Sequence, residues 1–140
     1  MADPIAIFTE RVTALRSANA DSKLAWAIAH CAQSVECSMT AYPALRSRLF
    51  RATIGPIAKR KFLRAHAMSH DVTASIAGAV AIAASTTLDD ACERATAALR
   101  AFAAFEGELA PHLAYGRCTK PEYAELHLLH FEDHARALGV

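Results

Sequence analysis

The chain has 140 residues, 54% of them hydrophobic and 21% charged. That composition supports one domain over residues 1–140 with a sizeable core and excludes a disordered chain. A formal net charge of +1 excludes a general polyelectrolyte role.

Helix formers dominate, and only 5 Gly and 5 Pro punctuate the sequence. Asp3 before Pro4 predicts a helix start, a capping side chain followed by Pro at the first helical position, with the helix running to about Ser17. Asp21 or Ser22 caps a second helix that should reach about Ala41, ahead of Pro43. A basic helical region is expected over residues 44–66, interrupted at Gly55-Pro56. The apolar run at residues 76–84 is too short to span a membrane and reads as a buried strand, a packed loop or a helical turn. Thr87-Leu88-Asp89-Asp90 opens a long helix expected to end near Leu109, and Pro111 and Gly116 mark the turn after it. Thr119-Lys120-Pro121-Glu122 is a capping box for a last helix that runs to about Leu138 and stops at Gly139. These elements predict an all-α fold: an up-and-down four-helix bundle with a long connection between the second and third main helices.

The start of the chain, MADPIAIFTERV, lacks a basic segment followed by an apolar one, so no secretory leader is expected. Cys31, Cys37, Cys92 and Cys118 form no CxxC pair and no zinc-ribbon spacing. They read as reduced thiols of a cytoplasmic protein.

The last helix carries ELHLLHFEDH at residues 125–134, which spaces His127, His130 and His134 by three and four. At about 100° per residue the three imidazoles fall within an arc of roughly 60°. Tyr123, Phe131 and Leu138 lie near the same direction, whereas Glu125, Glu132 and Asp133 mostly point elsewhere. Imidazoles facing a core are costly unless their nitrogens find partners. A divalent ion is an efficient one, because neutral imidazole ligates zinc, nickel, copper or iron, with zinc or nickel expected here. His30, in WAIAHCAQS of the second helix, offers a further ligand from a facing helix. One His from the second helix and two from the last leave a coordination position open, as catalytic sites do. The ordinary alternative is a pair of rings at a helix edge with wet tips.

Three blocks, WAIAHCAQSVECSM, LFRATIGPIAKRKFLR and HLAYGRCTKPEYAELHLLHFEDHARALG, together resemble the DinB-like superfamily of small four-helix bundles, in a branch of unknown function. The resemblance implies a metal held by His30, His130 and His134, with His127 one turn earlier as a fourth ligand or a general base. It also implies an enzyme of the thiol-transferase or hydrolase kind with a small-molecule substrate, possible use of a low-molecular-weight thiol as cosubstrate, and a homodimer. Where relatives carry a further His before the last ligand this chain has Asp133, and residues 68–84 replace a Gly- and Pro-rich loop. The competing expectation is a non-enzymatic helical module, for dimerisation or interaction, with a vestigial or structural histidine cluster.

Arg46, Arg48, Arg51, Lys59, Arg60, Lys61 and Arg64 lie in a stretch without acidic residues. Few aromatics interleave with them, so a solvated helix face is favoured over nucleic acid, with an anionic thiol as the functional reading. Cys118 and Cys31 lie near the proposed site in sequence, where a thiol could ligate a metal or respond to oxidants. His66, His70 and His112 carry no informative spacing and read as surface or turn residues.

Overall fold

The computed structural model describes residues 2–18 and 21–140. It contains α1 (Pro4–Leu15), α2 (Ser22–Met39), α3 (Arg48–Ala52), α4 (Ile54–Ala65), α5 (Leu88–Ala104) and α6 (Lys120–Leu138). Among the described residues there is no strand, and no helix is long and apolar enough to cross a membrane.

The helix starts follow from their caps. The side chains of Asp3, Asp21 and Thr87 accept from the backbone N–H of Ile5, Lys23 and Asp90. Each satisfies an amide that the helix leaves unpaired. At α6, Thr119 accepts from the Glu122 N–H at 3.3 Å while Glu122 Oε1 accepts from the Thr119 N–H at 2.9 Å. Gly139 closes α6 with φ +74°, where a side chain would be strained.

Two boundaries differ from expectation. The basic helical region breaks at Thr53 rather than at Gly55-Pro56. Pro56 falls in the first turn of α4, where its missing N–H costs nothing. Gly55 is needed for close approach, because a Cβ there would lie 1.8 Å from the Ala114 carbonyl oxygen. Helix α5 stops at Ala104, short of Leu109, and Phe105 turns extended. There Lys120 Nζ takes up the Ala103 and Phe105 carbonyls at 3.0 and 2.7 Å, so the helix end is satisfied without another turn. Residues 76–84 are a loop, with Ile76 buried in the core.

The bundle consists of α1, α2, α5 and α6, in which α1 and α2 each pack on both α5 and α6. Phe8 of α1 stacks on Phe131 of α6 at 4.6 Å, and Val12, Ile28, Val35, Leu99, Phe102 and Tyr123 fill the same core. Burying each such side chain contributes about 1.5–3 kcal/mol. Arg16 pairs with Asp89 and Glu93 and Val12 meets Cys92, so α1 runs against α5. His30 meets His134 and Ser38 meets His127, so α2 runs against α6. The long connection lets α2 and α5 run the same way, which a tight hairpin would forbid. It is fastened by its backbone: Gln33 donates to the Val80 carbonyl at 2.8 Å and Arg136 to the Met68 carbonyl at 2.9 Å.

Candidate metal centre

Helix α2 contributes His30, and one further face, one turn apart on α6, contributes His130 and His134. One nitrogen from each ring can be chosen so that all three lie within 4.8 Å of one another. His134 Nε2 is 3.2 Å from His130 Nε2. Trp26 lies flat on His30, with centroids 4.8 Å apart and 7° between planes, and 6.1 Å from His134. His30 and His134 are buried and His130 is half-buried. Among the described residues, nothing hydrogen-bonds the buried His30 Nδ1.

Burial sets the charge state. It pulls His30 down to about 4 and His134 to about 3, and it holds His130 well below the ordinary value, with the neighbouring imidazoles adding to the effect. All three rings are therefore neutral at pH 7, the form that offers a lone pair to a metal. A buried set of three nitrogen donors, an orphaned ring nitrogen and an apolar shell fit a divalent metal ion.

His127 sits outside this group. Its Nε2 is 3.1 Å from Ser38 Oγ, and its ring stacks on Tyr123 at 5.3 Å and meets the edge of Phe102 at 5.2 Å. The Ser38 hydroxyl donates to the Val35 carbonyl at 2.6 Å, so the His127 Nε2–H donates to Ser38 and Nδ1 carries the lone pair. Burial lowers its pKa to about 3.

The reading of His70 as a surface or turn residue is corrected. Its ring centroid lies 4.7 Å from that of His130 and 4.9 Å from that of His134, and its Nε2 is 3.2 Å from His134 Nε2. Asp133 is corrected with it: the carboxylate is buried and accepts from His70 Nδ1 at 2.7 Å. His70 lies in the connection, where no period relates it to α6, and an acidic residue beside the last histidine was the available signal. His66 is an exposed helix end at φ 49°, with Nδ1 2.9 Å from Glu125. His112 is in the expected turn but half-buried, stacked on Tyr115, with Nδ1 accepting from the Ala114 and Tyr115 N–H groups.

Two cavities reach the histidines. One, of about 560 Å³, is walled by Trp26, Val72, Ala84, His134 and Leu138, with Lys23 beside them. The other, of about 270 Å³, is lined by His30, His70, His127, His130 and Tyr123. None of the seven residues of the basic stretch lines either cavity. Lys59 instead pairs with Glu122 at 3.0 Å, and Arg46 lies over the Phe50 ring at 3.9 Å. Cys118 donates to the Gly116 carbonyl at 3.6 Å, and burial raises its pKa to about 11, so it is a neutral thiol. Cys31 is buried, which also keeps its thiol protonated.

A family model described as a protein of unknown function, DUF1569, matches residues 8–139. The chain belongs to the DUF1569 family. No curated protein and no solved structure matches it. The matched span of this DUF1569 chain contains every histidine of the cluster and both helices that carry His30, His130 and His134.

Proposed function

We propose that this DUF1569 chain is a DinB-like, metal-dependent enzyme of the thiol-transferase or hydrolase type, with a divalent ion held by His30, His130 and His134. The observation that carries the reading is the convergence of three neutral imidazoles from two helices within 4.8 Å. A divalent ion held there supplies Lewis acidity at neutral pH toward a thiol or a water.

The chain's own residues supply the surroundings. Trp26 packs against His30 and keeps water from that side of the ring. The 560 Å³ cavity suits a small molecule with an apolar body, and Lys23 can meet an anionic end. The basic stretch lies away from the cavities and is best read as a solvated face, so an anionic thiol would meet Lys23 instead. His127 lines the smaller cavity with His30 and His130. Its Nδ1 is the atom that can take a proton there, while Ser38 holds Nε2–H in place.

The test is a screen of zinc- and nickel-loaded protein, purified without a His tag, against low-molecular-weight thiols with electrophilic substrates and against ester and amide substrates. Turnover that disappears in His134→Ala supports the reading. Loaded protein with no turnover in any arm favours the non-enzymatic module.

A further inference from the structure

His70 stands in the connection between α4 and α5, yet α6 holds it as firmly as if it belonged to the helix. Its backbone N–H and its Nδ1 both reach Asp133 Oδ2, at 2.9 and 2.7 Å. The other Asp133 oxygen accepts from Arg136, whose guanidinium also donates to the Met68 carbonyl at 2.9 Å. Two backbone positions flanking Ser69 are thus tied to one buried carboxylate and its arginine.

This arrangement fixes the tautomer. A carboxylate only accepts, so His70 Nδ1 carries the proton, and in the neutral ring Nε2 carries the lone pair. That lone pair points into the cluster, 3.2 Å from His134 Nε2, which is itself 3.2 Å from His130 Nε2. A ring nitrogen has either one proton or one lone pair, so His134 Nε2 cannot make two ordinary hydrogen bonds to two such neighbours. Imidazole nitrogens sharing one ion at metal–nitrogen distances of about 2.0–2.1 Å sit roughly 3.3 Å apart in a tetrahedral site. The two spacings at His134 Nε2 match that edge length, and His30 completes the group within 4.8 Å. A histidine whose far nitrogen rests on a carboxylate is also the usual way a protein orients a metal ligand.

We propose that His70 is a fourth protein ligand of the metal, oriented by Asp133. The inference rests on the metal reading above and deepens it. His70 closes the position that three histidines leave open, and the ion then fastens the connection to α2 and α6.

Two measurements test this without activity. X-ray absorption of the zinc-loaded wild-type protein counts ligands: four imidazoles are expected. Three imidazoles and a light oxygen scatterer would overturn the proposal while leaving the metal reading intact. Cobalt(II) titration of wild type, His70→Ala, His70→Gln and Asp133→Asn, in competition with a chromophoric chelator, gives affinity and visible spectrum together. Loss of a ligand should weaken binding by more than roughly 10-fold and change the spectrum, with added imidazole restoring the spectrum of His70→Ala. Asp133→Asn should lose roughly 10–100-fold. Wild-type affinity and spectrum in both His70 variants would overturn the proposal, and a wild-type protein that takes up no metal would overturn both readings. The ligand count on wild type decides the matter even if every variant fails to fold.

Discussion

Helix α6 and the connection between α4 and α5 both put imidazole into the same cluster, by opposite means. In α6 the helical period brings His130 and His134 onto one face, and buried Tyr123, Phe131 and Ala135 hold that face inward. In the connection no period operates. His70 is positioned by its own backbone N–H and ring Nδ1, both bonded to Asp133, and by the Met68 carbonyl, which accepts from Arg136. The contrast teaches that a site can be half periodic and half long-range, and that only the first half shows in the spacing of one sequence.

The largest effect that sharpens this comparison is acid destabilisation. His127 on α6 and His112 in its preceding turn are each held down to about 3 by burial, whereas an unfolded imidazole titrates near 6.5. Their folded pKa values are depressed, so their contribution is fully present above about pH 6.5. It is lost as pH falls from there toward about 3, because only the unfolded chain takes up those protons. Chelator-treated protein should lose on the order of a few kcal/mol of stability between pH 7 and pH 4 in denaturant melts. His127→Gln should flatten that acid limb, and an unchanged limb would mean that His127 is wet in the folded state.

Smaller effects separate the two regions more finely. Thr119→Ala removes half of the capping box and should cost about 1 kcal/mol through α6. The connection is held by its backbone, so Val80→Ala, at a residue 85% exposed, should change stability by less than about 0.5 kcal/mol. Gln33→Ala, which removes the donor to the Val80 carbonyl, should cost about 1 kcal/mol and expose the connection to limited proteolysis. Equal effects of the Val80 and Gln33 changes would remove the distinction between the regions.

Local rules made much of the fold legible. Asp3-Pro4, Asp21, Thr87 and the Thr119–Glu122 box fix helix starts because each cap acts within four residues. The stripe on α6 was legible from the helical period, and the resemblance singled out His30, His130 and His134 among the histidines. What was not legible depends on partners far away in sequence. Lys120 ends α5 from 15 and 17 residues downstream, and Ala114 explains Gly55. Asp133 was read as facing outward because helical angle alone does not reveal that a loop 63 residues earlier lies over it. His70 was passed over for that reason; His127, read as a fourth ligand or a general base, lies outside the three-nitrogen group with its Nε2 on Ser38.

The most direct measurement is metal stoichiometry. Protein purified without a His tag, stripped with chelator and titrated with zinc and with nickel, is read by elemental analysis and calorimetry, beside His130→Ala and His134→Ala. The account predicts one ion per chain in the wild type, with affinity falling by more than roughly 100-fold in either variant. Binding should also raise the melting temperature at both pH 7.5 and pH 5, where the folded ligands are still neutral, and lose that effect only as pH falls toward about 4 and below. A wild-type chain that holds neither ion, or variants that hold it as tightly as wild type, would contradict the shared site at His30, His130 and His134.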